Sequence, residues 1–281
     1  MEHGGFYAAK AAGYFEEEGL DVKLIPGGPN VKVIQNVARG EAQFGVAVAD
    51  QILLGRAQGA DVVALMSPMQ DSPRCILVHE ETGFTKLSDL KNVTLAMRTG
   101  IAFSEFLKSQ VKLENVKVVE YPGNVTQFLL DKNYAQQAYS FSEPFIAQQQ
   151  GAKPRALMVS DLGYNPYTSV LFTSDSTLAK DEDLARKMTR ASVRGWQKYL
   201  ADAAPANELL RAANPEMTIE ALNFGQQAVK PLCLPNNAAP ETLGKMTAER
   251  WQQLADQLIA IKLLEPGKVK VAEAYRLDML P

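Results

Sequence analysis

The chain has 281 residues, of which 46% are hydrophobic and 22% are charged, and its formal net charge is −3. This composition is typical of a folded globular protein and excludes a disordered chain, and the charge gives no reason to expect a nucleic-acid partner. No apolar run approaches the roughly 18 residues that a membrane helix needs, so no membrane span is predicted. The first residues lack the basic and apolar regions of a signal peptide.

The first third of the chain alternates between predicted helices and strands. A helix is predicted from the Gly4-Gly5 pair to Gly19, which suits a left-handed cap. Its apolar stripe comprises Tyr7, Ala11, Tyr14 and Phe15, and the glutamates at 16–18 are interpreted as a solvated face. A strand (20–24), a helix (30–40), a strand (44–49), a helix capped by Asp50 and a strand (61–67) follow. Such units predict a parallel sheet covered on both faces.

A second, smaller α/β unit is predicted over residues 93–147. Its helices are AFSEFLKSQ, VTQFLLDK and the one that follows Ser142-Glu143, and a strand precedes each of them. CILVHEE and TSVLFTS are two further strands. From residue 180 onward the chain is mostly amphipathic helix, interrupted by prolines, and we expect this region to pack on the first unit. Domain boundaries are predicted at residues 86–87 and 163–164, so that 87–163 is inserted into the rest.

In parallel α/β sheets, ligands bind beyond the carboxyl ends of the strands, where helices begin and glycines let a ligand approach the backbone. Several predicted strand ends carry glycines, polar residues or aromatic residues. The predicted ligand-binding residues are His3, Gly4, Gly5, Gly27, Gly28, Asp50, Gln51, Arg98, Thr99, Gly100, Phe103, Asn124, Tyr139, Ser142, Glu143, Tyr164 and Tyr167.

Glu143 is the most informative of these positions. It precedes Pro144, which suits a first helical turn, and glutamate is a poor cap there, so another task is suggested. Its carboxylate can accept hydrogen bonds from an aminopyrimidine. The alternative is an exposed glutamate near a helix N-terminus. Tyr164 and Tyr167 belong to the loop GYNPY, where a flat heterocycle can stack on an aromatic ring.

No catalytic motif is found in the sequence. There is no nucleophile elbow, no phosphate-binding loop and no zinc-protease motif. Cys75 and Cys233 are interpreted as buried thiols. We therefore predict no catalytic residue, no metal site and no cofactor.

Several stretches resemble the NMT1/THI5-like family of solute-binding proteins of ABC importers. They are HGGFYAAKAAGYFEEEGLDV, GGPNV, GEAQFGVAVADQ, SDLKNVTLAMRTG, SEPFIAQQQG and GYNPYTS, spread over about two thirds of the chain. The resemblance implies a two-lobed periplasmic-binding-protein-like α/β fold of type II, with a cleft that closes on a small ligand. It implies a thiamine-precursor pyrimidine as ligand and ABC permease subunits as partners.

Two departures from the family pattern bear on these implications. Family members carry a signal peptide and a first strand ahead of EHGGFY, and both are absent as the sequence stands. The expected location is therefore extracytoplasmic if an upstream signal exists and cytoplasmic otherwise, and the expected state is a monomer unless the missing strand drives pairing. The cysteine-rich motif of the yeast-type pyrimidine synthases is also absent. Two alternatives stay open: a cytoplasmic pyrimidine-synthesis enzyme, and a binding protein for an organic anion such as a sulfonate.

Overall fold

The computed structural model describes residues 1–28 and 31–280 and divides the chain into two compact units. Unit 1 combines residues 1–71 with the chain from residue 166 onward, and unit 2 is Ser72–Asn165. The first crossover between units thus precedes the strand that begins at Arg74, whereas the sequence placed it after that strand. Pro29 and Asn30 of the motif GGPNV lie outside the described residues, and Asn30 is also the first residue of the predicted second helix.

The elements are numbered along the whole chain. Unit 1 begins with α1 (Gly4–Ala11), α2 (Tyr14–Glu17), α3 (Val33–Ala38), β1 (Phe44–Ala47), α4 (Ala49–Ala57) and β2 (Val62–Met66). Unit 2 contains β3 (Arg74–His79), β4 (Thr94–Ala96), α5 (Ala102–Gln110), β5 (Lys117–Val119), α6 (Thr126–Leu130), β6 (Tyr134–Tyr139), α7 (Glu143–Gln149) and β7 (Pro154–Met158). Unit 1 resumes with β8 (Val170–Ser174), α8 (Asp175–Lys180), α9 (Glu182–Ala201), α10 (Ala204–Ala213), α11 (Ile219–Cys233) and α12 (Ala248–Ala260).

The sheet of unit 1 has the order β1-β8-β2, and β8 is antiparallel to both neighbours. The prediction of a purely parallel sheet is therefore wrong here. Strands β1 and β2 were predicted with the right type and direction, but β8 comes from a distant part of the chain and lies between them. Its register, with Phe172 opposite Gly45 and Ala64, is a long-range property that no local pattern encodes.

The predicted strand over residues 20–24 is not formed. Leu20, Val22 and Leu24 are half-buried and alternate with exposed residues, as the pattern predicted, but this segment is extended without strand pairing among the described residues. Alternation with a period of two shows that one side of a segment is covered. A β-strand also needs backbone hydrogen bonds to a neighbouring strand, which the alternation does not predict.

The helical region after residue 180 packs on unit 1, as predicted: α9 lies along α1 and α12 packs against α4. The predicted first helix is interrupted at Gly13, whose φ of 74° is left-handed. Of its predicted apolar stripe Phe15 is buried, but Ala11 is exposed. Helix α1 instead buries Gly4, Gly5, Phe6, Ala8 and Ala9.

The sheet of unit 2 has the order β5-β4-β6-β3-β7. Strands β4, β5 and β6 are parallel, as predicted, whereas β3 is antiparallel to β6 and β7. The sequence missed β7, which begins with Pro154 at an edge of the sheet where proline is tolerated. Helix α5 has the predicted bounds, and Phe103, Phe106 and Leu107 are buried as predicted.

Candidate functional site

Three loops and the start of a fourth strand share one edge of the unit 2 sheet. The parallel strands β4, β5 and β6 all end there, and each is followed by a helix, α5, α6 and α7 respectively. Strand β3 runs the opposite way, so its first residue, Arg74, pairs with Tyr139 at the end of β6. This edge brings together the predicted residues Arg98, Thr99, Gly100, Phe103, Asn124, Tyr139, Ser142 and Glu143. We call it the unit 2 edge.

Side chains of the protein hold the loops of the unit 2 edge in place. The backbone N–H of Arg98 donates to Gln137 Oε1 at 2.7 Å, and that of Gly100 donates to Glu105 Oε1 at 2.8 Å. Asn124 Oδ1 accepts from the Thr126 N–H at 3.0 Å, so Asn124 supports the start of α6. Arg98, Thr99 and Gly100 are exposed, and a Cβ on Gly100 would meet nothing within 4 Å. This loop is therefore fixed in shape and open to solvent.

Glu143 has structural partners that the sequence did not reveal. It is the first residue of α7, and its Oε2 accepts from the Tyr139 N–H at 2.9 Å while its Oε1 accepts from the Tyr121 hydroxyl at 3.1 Å. Burial and the Glu143 charge together raise the pKa of Tyr121 well above its usual range. The premise that this carboxylate has no structural task is wrong, because it ties the β6–α7 turn to the loop after β5. Its contact with a ligand stays a prediction.

Arg74 is the residue at the unit 2 edge that sequence reasoning missed. Its guanidinium carbon lies 4.1 Å from the ring centroid of Tyr139 and 4.6 Å from that of Phe103. Its Nη2 donates to the Tyr139 hydroxyl at 2.7 Å. Tyr139 also stacks on Phe141, with centroids 5.3 Å apart. Two of the predicted ligand-binding residues, Phe103 and Tyr139, therefore already contact a guanidinium with their rings. Only the pairing of β3 with β6 and the docking of α5 could have revealed this.

Tyr164 and Tyr167 are core residues of their units. Tyr164 is 1% exposed and lies against Phe106 in unit 2. Tyr167 is 2% exposed in unit 1, where its hydroxyl accepts from the Thr247 N–H at 3.0 Å and Arg250 lies over its ring at 3.9 Å. Both were predicted to stack on a ligand because GYNPY is a loop, but both rings are buried, and their contact with a ligand stays a prediction.

In unit 1, the opening glycine pair serves helix packing. A Cβ on Gly4 would clash with the ring of Tyr199, and a Cβ on Gly5 would clash with the ring of Trp196. Both rings belong to α9, and Gly195 of the same helix has no room for a side chain against α1. Aromatic rings of α9 therefore occupy the space beside these glycines, and the contact of Gly4 and Gly5 with a ligand stays a prediction.

Two further pairs of predicted residues lie in unit 1, the glycines at 27–28 and the residues Asp50 and Gln51 of α4. Gly27 and Gly28 are exposed and follow no strand, which removes the reason for predicting them. Helix α4 begins at Ala49, so Asp50 lies in its first turn and is not the cap, while Gln51 Oε1 accepts from the Val48 N–H at 3.2 Å.

His3 lies beside a residue that was not predicted. Its Nδ1 is 3.4 Å from the hydroxyl of Ser169, which donates to the Glu2 carbonyl at 2.8 Å. Ser169 is buried and has a φ of 60°, a left-handed conformation that is uncommon for serine. These contacts fasten the start of α1 to the chain just before β8.

The two cysteines are buried, as predicted, and burial raises the pKa of both thiols well above their usual range. Within residues 1–28 and 31–280, no cluster of three or more His, Cys, Asp or Glu side chains has a geometry suited to a metal ion. No helix in the same described ranges is long and apolar enough to span a membrane.

A family model described as NMT1/THI5 like matches residues 1–206. The chain belongs to this family. The matched region contains all of unit 2 and the first part of unit 1, so it includes the unit 2 edge.

Two relatives match almost the whole chain. The riboflavin-binding protein RibY of Chloroflexus aurantiacus is 26% identical, and the match covers 98% of this chain and 82% of RibY. The formylaminopyrimidine-binding protein of Halalkalibacterium halodurans is 22% identical, and the match covers 94% of this chain and 82% of that protein.

Solved structures share the fold. The periplasmic aliphatic sulphonate binding protein SsuA of Escherichia coli has a TM-score of 0.71 at 17% identity, over 96% of this chain and 87% of SsuA. The desulfurization enzyme DSZB has a TM-score of 0.63 at 14% identity, over 98% of this chain and 94% of that enzyme. The periplasmic-binding-protein-like fold predicted from the sequence is thus confirmed, and this fold carries both binding and catalytic functions.

Proposed function

We propose that this protein is the substrate-binding component of an ABC importer and that its substrate is a small planar heterocycle containing a pyrimidine ring. Membership of the NMT1/THI5-like family supports the binding role. The two relatives are named for riboflavin and for formylaminopyrimidine, and both ligands contain a pyrimidine ring, fused in the first and free in the second. A thiamine-precursor pyrimidine, predicted from the sequence, is one member of this class.

The observation that carries the proposal is the unit 2 edge. Exposed backbone of the Arg98–Gly100 loop, a guanidinium and aromatic rings meet where three strands end, and hydrogen bonds within the unit hold the loops in place. A few fixed polar groups beside aromatic surface are what orient a small heterocycle in a binding protein. Because the loops are held before ligand arrives, little ordering entropy is lost on binding.

The chemistry of the cysteines favours binding over catalysis. A catalytic cysteine acts as the thiolate and is found where its pKa is lowered. Cys75 and Cys233 are buried and their pKa values are raised, so neither is suited to attack a substrate. We propose no catalytic residue on this chain.

We propose an extracytoplasmic location and a permease as partner. The support is the naming of the SsuA and RibY proteins as binding proteins and, for SsuA, as periplasmic. An organic anion such as a sulfonate is the second candidate ligand. Arg74 and Arg98 favour it, since both bring positive charge to the unit 2 edge.

Titration of the purified chain with a small panel tests the proposal. Riboflavin is followed by quenching of its fluorescence, and an aminopyrimidine and an alkanesulfonate by calorimetry. We expect saturable one-to-one binding of riboflavin or the aminopyrimidine and no chemical change of the ligand. Binding of the sulfonate alone favours the second candidate, and turnover of a pyrimidine contradicts the binding-protein role.

A further inference from the structure

The guanidinium of Arg74 is half-buried but has few hydrogen-bond partners. Among the described residues, no carboxylate lies within 4.0 Å of it, and the contact with the Tyr139 hydroxyl is its one side-chain hydrogen bond. An arginine side chain carries five N–H donors, so four donors of Arg74 have no hydrogen-bond partner among the described residues. A partly buried charge with so few hydrogen bonds is costly, and contact with the rings of Tyr139 and Phe103 offsets only part of that cost.

The acidic side chains nearby are already engaged. Both oxygens of Glu143 accept hydrogen bonds from Tyr121 and Tyr139, and Glu105 Oε1 accepts from Lys108 Nζ and from the Gly100 N–H. The positive charge of Arg74 is therefore not neutralised by a direct ion pair within the described residues of unit 2. The two rings nevertheless hold the guanidinium carbon of Arg74 in place, and a guanidinium held in place favours paired hydrogen bonds to a planar partner.

We infer that Arg74 determines specificity by donating two hydrogen bonds to a pair of neighbouring acceptor atoms on the ligand. This inference rests on the binding function proposed above. Two kinds of ligand offer such a pair: the carbonyl oxygen and ring nitrogen of a pyrimidine, and the oxygens of a sulfonate. The rings of Tyr139 and Phe103 hold the guanidinium in place, so they position the donor.

The test compares the wild type with Arg74→Met, Arg74→Lys and a matched control, Arg155→Met. Arg155 lies on β7, opposite Val78 near the far end of β3, and donates to the Phe84 carbonyl. Arg74→Met should weaken binding of the best ligand of the panel between about tenfold and a hundredfold, the range for hydrogen bonds to a charged group. Arg155→Met should leave the affinity unchanged.

Arg74→Lys distinguishes the two kinds of ligand that offer a pair of acceptor atoms, the pyrimidine and the sulfonate. Lysine keeps the charge and loses the planar fork, so binding of a sulfonate should largely persist while binding of a pyrimidine falls nearly as far as in Arg74→Met. If the variants fold poorly, the affinity of the wild type for a ligand analogue that lacks the two acceptor atoms tests the inference instead. The wild type should bind this analogue at least about tenfold more weakly than the parent ligand.

The outcomes distinguish a failure of the proposed role of Arg74 from a failure of the proposed binding function. If the wild type binds a panel ligand and Arg74→Met binds it equally well, the inference is overturned and the binding function stands. If Arg74→Met weakens the parent ligand and the analogue by the same factor, Arg74 is merely structural and the inference is again overturned. If the wild type binds no member of the panel, the proposed function fails and the inference fails with it.

Discussion

The start of α1 in unit 1 and the loop before α5 in unit 2 are two glycine-bearing turns that look alike in the sequence. Both have glycine next to a helix start, and we predicted ligand contacts at both. In unit 1 the space beside Gly4 and Gly5 holds the rings of Tyr199 and Trp196. In unit 2 the space beside Gly100 is open, and its φ of 75° is left-handed. Glycine is thus needed for close helix packing at the start of α1 and for a left-handed backbone conformation in the loop before α5.

Replacing Gly5 with alanine tests the packing interpretation and should have the largest effect. The added Cβ must displace the ring of Trp196, which is fully buried, so α1 and α9 have to separate. We expect a loss of about 3 kcal/mol in the free energy of unfolding, measured by chemical denaturation. The higher helix propensity of alanine offsets this by less than about 1 kcal/mol.

Gly27→Ala is the matched control for this substitution. Gly27 is exposed, has no left-handed φ and has nothing within 4 Å of its Cβ position. Its replacement should change the free energy of unfolding by no more than about 0.5 kcal/mol. Equal small effects at Gly5 and Gly27 would mean that α1 and α9 do not pack as closely as the structure shows.

Glu143→Gln tests whether the unit 2 edge is built partly by this carboxylate. Glutamine can still accept from the Tyr139 N–H, but its amide group faces the Tyr121 hydroxyl, which must then give up its role as donor. Losing the charge-assisted bonds should reduce the free energy of unfolding of the ligand-free protein by about 1–2 kcal/mol. An unchanged melting temperature together with weaker ligand binding would return Glu143 to the role predicted from the sequence.

Tyr167→Phe tests the reassignment of a predicted ligand residue to the core of unit 1. The substitution keeps the ring beneath Arg250 and removes the acceptor of the Thr247 N–H just before α12. We expect a loss of about 1 kcal/mol in the free energy of unfolding. Ligand affinity should not change; a drop in affinity without a drop in stability contradicts the core assignment.

Local sequence patterns predicted those elements that carry a clear apolar pattern of their own. Helix α5 was predicted with its observed bounds, because Phe103, Phe106 and Leu107 mark a single buried face and the flanking residues favour a turn. The strands β2 and β4 were recognised because they are short and apolar. The helices after residue 180 were placed on unit 1 correctly, since amphipathic helices need a large apolar surface to cover.

Features that depend on distant partners could not be predicted in this way. The strand that separates β1 from β2 comes from beyond unit 2, and no local signal gives its direction. Arg74 looks like an ordinary residue at the start of a strand. Its partners Phe103 and Tyr139 come from α5 and β6, so only the tertiary structure makes it a candidate for ligand recognition.

The glutamates at the end of α2 give the last and smallest test, where α2 packs against α9. They were predicted to be a solvated face, but Glu18 accepts from both Nε and Nη2 of Arg190, at 3.1 and 2.6 Å, and Glu17 pairs with Arg194 at 2.7 Å. The Glu18 side chain is 17% exposed, whereas that of Glu17 is 55% exposed. Glu18→Gln should therefore cost up to about 1 kcal/mol, and Glu17→Gln less.

The pH dependence of the Glu18 effect identifies its cause. The hydrogen bonds from Arg190 lower the pKa of Glu18 in the folded protein below its usual value. A lowered folded pKa means that the stabilisation is fully present above the pKa of the unfolded state and is lost as the pH falls through the folded pKa. The stability difference between wild type and Glu18→Gln should thus hold at neutral pH and shrink as the pH falls below about 4. A difference that persists unchanged in acid would show that Glu18 acts through packing and not through its charge.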